Sequence, residues 1–120
     1  MKRDPELIRE ILHAIEADQG SPLGWVELNI DGHSTEKTSY HVQLLADAGL
    51  VIPQDLSSSS GYHVMPKRMT SAGHDFLDAV RNEVIWSKVK AAIAETGSFT
   101  LSLIKELAIS YAKQKLGLAA

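Results

Sequence analysis

The sequence predicts an α+β fold, mostly helical, and three observations carry that prediction. Apolar residues recur at helical spacing over residues 5–18, 35–48, 70–97 and 101–116. A short segment, 25–30, alternates apolar and polar side chains as a half-buried strand does. Two further extended segments, 50–56 and 62–69, flank a Ser-Ser-Ser-Ser-Gly run that reads as the tip of a hairpin.

Each element has its own signals. Asp4-Pro5-Glu6 opens the first helix with a capping acceptor, a proline at the first helical position and an acid at the positive end of the dipole. Leu7, Ile8, Ile11, Leu12 and Ile15 form one apolar stripe, and Gly20 and Pro22 end the helix. In 25–30, Val26, Leu28 and Ile30 share one side and Glu27 and Asn29 the other, before an Asp31-Gly32 turn. Ser34 or Thr35 caps the next helix, which turns Thr38, His41 or Val42, Leu45 and Ala48 inward and stops at Gly49.

Pro53 marks the 50–56 segment as an edge or a bend. Thr70 caps a helix carrying Phe76, Leu77, Val80 and Val84. The pattern runs on through Ile85, Trp86, Val89 and Ile93 to Gly97, as one long helix or as two that meet near Asn82. The last helix turns Leu103, Ile104, Leu107, Ala108 and Tyr111 inward and closes at Gly117.

A chain of 120 residues, 44% of them hydrophobic, is the size of one domain with a real core. We therefore expect a single domain over 1–120, with a core unit in 1–82 and C-terminal helices in 83–120. There is no cysteine, hence neither a disulfide framework nor a thiolate metal site, and a reducing compartment fits. No apolar run approaches the ~18 residues of a membrane span, and the start lacks the uninterrupted apolar stretch of a signal peptide. The expected location is cytoplasmic, with no membrane partner. Net charge is −3, divided unevenly: residues 1–60 hold four Lys/Arg against ten Asp/Glu, and residues 61–120 hold eight against five.

The run Ser39-Tyr40-His41-Val42-Gln43-Leu44-Leu45-Ala46-Asp47-Ala48-Gly49-Leu50-Val51 resembles the recognition helix of bacterial winged-helix regulators, running directly into its wing. The resemblance implies a winged-helix-like domain with a C-terminal helical extension. Residues 35–43 would then read the major groove of double-stranded DNA, and the 57–68 hairpin would act as the wing. The chain departs from that pattern between Gly20 and Ser34, where a proline, a short strand and a turn stand in place of the supporting helix.

A wider resemblance rests on Met1-Lys2-Arg3-Asp4, on Thr70-x-x-Gly73-His74-Asp75-Phe76-Leu77-Asp78-Ala79-x-Arg81-Asn82, on Ile85-Trp86 and on Lys105-Glu106-Leu107-Ala108. These are similar to a family of small bacterial, phage and prophage proteins of unassigned function. The resemblance implies a role linked to mobile elements and transfers no site residues.

On the DNA reading, Glu36, Tyr40, Gln43 and Asp47 share the outward helix face. Tyr40 and Gln43 would contact bases, Lys37 and Ser39 would reach phosphates, and Lys67 and Arg68 would touch the backbone from the returning wing strand. The rival reading is a protein-interaction module on the same scaffold, holding a host or phage protein with its acidic N-terminal half. The two part on charge geometry. DNA binding requires Lys37, Lys67 and Arg68, joined by Arg3 or Arg9, to converge on one surface beside the helix of Tyr40, whereas a partner module leaves that surface acidic and exposes an apolar patch instead.

Other chemistry has little to stand on. The five histidines match no zinc spacing, Asp75 and Asp78 answer a helix dipole, and there is neither a phosphate loop nor a nucleophile elbow. No enzyme activity, metal or cofactor is expected. Trp86, Val89, Ile93, Ile104, Leu107 and Tyr111, with the small Ala108 and Ala112, either complete the monomer core or offer a homodimer contact through the C-terminal helices.

Overall fold

The computed structural model describes residues 1–20, 23–97 and 100–117. Five helices and a two-stranded sheet follow one another as α1 (Pro5–Ala17), α2 (Thr35–Asp47), β1 (Val51–Asp55), β2 (Val64–Met69), α3 (Ser71–Val80), α4 (Glu83–Thr96) and α5 (Leu101–Lys115). The α+β class and the predominance of helix are as expected. The chain divides into two compact units, Met1–His74 and Asp75–Ala120.

In the first unit α1 packs on α2 and β2, and α2 packs on both strands. The Asp4 carboxylate accepts from the Leu7 N–H at 3.3 Å and caps α1, while Leu7, Ile8, Ile11, Leu12 and Ile15 are buried, as the stripe predicts. Burying each such side chain is worth roughly 1.5–3 kcal/mol, which fixes the face that α1 turns inward. Pro22, expected to help end this helix, lies outside the described residues.

Ser34 Oγ accepts from the Lys37 N–H at 3.1 Å and starts α2. Its end is a Schellman motif: the Leu50 N–H bonds the Leu45 carbonyl and the Gly49 N–H bonds the Ala46 carbonyl, both at 2.9 Å. Gly49 takes φ +78°, which a side chain would resist. Leu50 and Leu45 are both buried beneath the motif, and the chain passes straight into β1.

Residues 25–30 correct one expectation. Leu28 is buried, Val26 and Ile30 are half-buried, and Trp25, Glu27 and Asn29 are exposed, so the alternation is real. No strand forms. The Val26 N–H donates to the Pro66 carbonyl at 2.8 Å, but Pro66 has no N–H with which to continue a ladder. The Leu28 N–H is then satisfied by the Met65 thioether sulfur at 3.3 Å.

The same proline distorts the hairpin. β1 and β2 are antiparallel, with Ile52 opposite Arg68 and Pro53 opposite Pro66, which leaves Lys67 as the extra residue of a β-bulge. Two prolines face one another and neither can donate, so pairing breaks at that step.

Thr70 joins the hairpin to α3. Its Oγ1 accepts from the Gly73 N–H at 3.1 Å and donates to the Gly49 carbonyl at 2.6 Å, and its own N–H bonds the Leu50 carbonyl at 2.9 Å. A Cβ at Gly73 would collide with the Leu50 carbonyl oxygen. The Thr-x-x-Gly pair of the family-like motif is therefore a brace between the end of α2 and the start of α3.

In the second unit Asn82 resolves the alternative left open by the sequence. Its carboxamide oxygen accepts from the Val84 and Ile85 N–H groups at 2.9 and 3.1 Å, so α4 begins as a separate helix. Gly97 ends α4 at φ +77°, and Thr100 caps α5 through the Leu103 N–H at 3.0 Å. Helices α4 and α5 pack on each other. Trp86, Val89, Ile104 and Ala108 are fully withdrawn from the surface.

Candidate functional site

The six residues expected to meet DNA do not gather on one surface. Ser39 is fully buried, and its Oγ accepts from the Val64 N–H at 3.0 Å, tying α2 to β2. It fastens the two elements together and is withdrawn from the surface. The helical spacing carried that signal, since Ser39 stands three residues before buried Val42 and six before buried Leu45.

Lys37 reaches the start of α1. Its Nζ lies 3.2 Å from Asp4 Oδ2, and its carbonyl accepts from the ring of His41 at 2.8 Å. The Asp4 N–H donates to the other ring nitrogen, Nε2, at 2.9 Å. Because Nε2 accepts, Nδ1 carries the proton and the imidazole is neutral. Burial pushes the His41 pKa below its ordinary value; the Lys37 carbonyl and the Asp4 charge oppose the shift without cancelling it, while Lys37 and His33 add to it. Partial burial raises the Asp4 carboxyl, but the Leu7 N–H, the hydrogen bond and charge of Lys37, and the charge of His33 outweigh it, and the net shift is downward. These groups form a structural clasp between the start of α1 and the first turns of α2.

Tyr40 and Gln43 remain on the outer side of α2, both half-buried. Their neighbours are acidic and aromatic. Gln43 Nε2 donates to Asp47 Oδ1 at 3.0 Å. Tyr62, at the hairpin tip, is 38% exposed, and its phenol pKa is pushed up by partial burial, by the negative charges of Asp55 and Asp47, and by Tyr40. The Asp55 carboxylate accepts from the Ser57 N–H at 2.9 Å, which holds its pKa down and keeps it charged. A shallow cleft of about 310 Å³ adjoins this face, between Thr35 and Glu36 of α2 and the Ser58, Ser60, Tyr62 and His63 side of the tip. On its flank the Glu27 carboxylate accepts from the Trp25 indole at 3.2 Å and pairs with the His63 ring at 2.9 Å. Ser57 Oγ bonds the backbone N–H of His63 at 2.9 Å.

Lys67 and Arg68 lie elsewhere, at the far end of β2. With a rise of about 3.3 Å per residue, the five residues from Tyr62 to Lys67 span roughly 16 Å. Both cations line a second cleft of about 250 Å³ beside Ile15, Glu16 and Asp18 at the end of α1. Among the described residues, no three His, Cys, Asp or Glu side chains gather where they could hold a metal ion. No helix there is long and apolar enough to cross a membrane.

The fold and this face define a small α+β protein whose hairpin-backed helix offers aromatic and acidic groups. Residues 2–99 match the family described as a hypothetical protein, DUF2513, and the chain belongs to that family. It is similar to an uncharacterized protein of Haemophilus influenzae (strain ATCC 51907 / DSM 11121 / KW20 / Rd), with 32% identity over 117 residues, which is 97% of this chain and 99% of the relative. No solved structure matches it.

Proposed function

We propose that this chain is a non-enzymatic protein-interaction module, a winged-helix-like unit that holds a basic segment of a host or phage protein on the face formed by α2 and the hairpin tip. One observation carries the reading: the charges that act on Tyr62 are those of Asp55 and Asp47, with Tyr40 in reach of the same phenol, while Lys37 is paired with Asp4 and Lys67 and Arg68 stand at the other end of β2. Met1–His74 holds six Lys/Arg against ten Asp/Glu, so its field favours a cationic ligand. Half-exposed tyrosines flanked by carboxylates suit lysine and arginine side chains, which they meet by cation–π contact and charge-assisted hydrogen bonds.

The test is fluorescence anisotropy with a labelled Lys/Arg-rich peptide, with an acidic peptide of the same length as control. We expect saturable binding of the basic peptide alone, weakened roughly tenfold or more by Tyr62→Ala and by Asp47→Asn. Equal binding of both peptides, or binding indifferent to both substitutions, overturns the reading.

A second reading, a DNA-binding regulator of phage or prophage origin, draws support from the order of elements. Helix α2 leads directly into an antiparallel hairpin, and residue 26 bonds the returning strand as a third wing strand would. Its phosphate contacts would have to come from Lys67 and Arg68. A homodimer, for its part, would use the exposed Val84 and Leu103 of the C-terminal helices, because Trp86, Val89, Ile104 and Ala108 are buried within the chain.

A further inference from the structure

Helix α1 ends against its own dipole. Glu16 lies in its last turn and Asp18 at its cap, with no basic residue in that turn, although the carbonyl end of a helix is already negative. The Asp18 carboxylate accepts from the Gly20 N–H at 3.0 Å, which holds it at the helix end. A cleft of about 250 Å³ opens at this helix end; α1 and the chain after it contribute Ile15, Glu16, Asp18, Gly20 and Val26 to its lining, and β2 and the start of α3 contribute Lys67, Arg68, Met69 and His74.

The basic part of the lining is set by the bulge. Neighbouring residues of a regular strand point to opposite faces, yet Lys67 and Arg68 both line the cleft. They do so because Lys67 is the extra residue inserted where Pro53 faces Pro66, and a bulge re-aims the side chain that it carries. Arg68 is braced by a 3.0 Å hydrogen bond from its guanidinium to the Met69 carbonyl.

We propose that this cleft binds a small zwitterion of the α-amino acid class, with its ammonium at Asp18 and the negative end of α1, its carboxylate at Lys67 and Arg68, and its side chain over Ile15, Val26 and Met69. The cleft, about 250 Å³ and open to solvent, is smaller than the roughly 300–1,000 Å³ of ordinary ligand pockets and suits a small ligand. A lining that carries both signs of charge selects it: a simple carboxylate would meet Asp18, and a simple amine would meet Lys67. None of these side chains belongs to the Tyr40–Tyr62 face, so the two sites can fail separately.

The test is a titration of the ¹⁵N-labelled full chain, followed by amide shifts, with a panel of single α-amino acids and with acetate and ethylamine as the two halves of the zwitterion. We expect at least one amino acid to shift the Asp18, Val26 and Met69 amides saturably, with acetate and ethylamine roughly tenfold weaker or worse. Lys67→Gln and Asp18→Asn should each abolish the shifts in a chain that remains folded, and leave the binding of the basic peptide unchanged. If no amino acid saturates below roughly 10 mM, if acetate binds as tightly as the amino acid, or if the folded variants still bind, the proposal fails. Should either variant unfold, Arg68→Gln serves in its place.

Discussion

His41 shows how a single side chain can be both polar and structural. Its two ring nitrogens are fully used, one by the Asp4 N–H and the other by the Lys37 carbonyl. The folded state holds it neutral and pushes its pKa below its ordinary value, chiefly by burial, so on the acid side the unfolded chain binds the extra proton. Stability therefore rises with pH through the region below about 6.5, and it is lost as pH falls through that region. Asp4, whose folded pKa is lowered, adds a second loss only at still lower pH, below about 4. Urea unfolding from pH 8 to 5 should show a declining midpoint, and His41→Gln should flatten the decline; an unchanged slope in that variant would remove His41 from the account. Ser39→Ala should cost about 1–3 kcal/mol in the same assay, because it strands the buried Val64 N–H. A phosphate-contacting serine would cost nothing there.

The elements show what local pattern carries and what it leaves out. Both hairpin segments, every helix and the caps at Asp4, Thr70 and Gly49 could be read from the chain, because capping and apolar spacing are short-range properties. The 25–30 segment was read correctly for which side chains turn inward and wrongly for pairing, since the obstacle is a proline 40 residues away, Pro66. The aim of Lys67 and Arg68 was hidden for the same reason: the bulge depends on Pro53 meeting Pro66, which no local window contains. Ser39 was within reach of the helical wheel, but its partner on β2 was not. The Thr-x-x-Gly pair acquires its reason only when Gly73 meets the Leu50 carbonyl. Gly73→Ala should destabilise the first unit by about 1–3 kcal/mol through overpacking, with Thr70→Val costing about 1 kcal/mol as a lost cap. Thermal unfolding of both variants tests this, and a neutral Gly73→Ala would deny the brace.

Across the whole chain the functional question reduces to where charge lies. A DNA reader concentrates its cations where helix and wing converge, since phosphate contacts supply most of its affinity. Here the convergence of α2 and the hairpin tip holds Asp47, Asp55, Tyr40 and Tyr62, and the cations of β2 line a cleft together with the acidic end of α1. The most direct measurement is a titration of the purified chain into its own upstream duplex and a scrambled duplex, at about 20 mM and about 200 mM salt. We expect no saturable binding to either duplex at the lower salt, where even non-specific attraction would be visible. Binding that weakens at the higher salt and disappears in Lys67→Gln would contradict the partner-module reading and establish the DNA reader in its place.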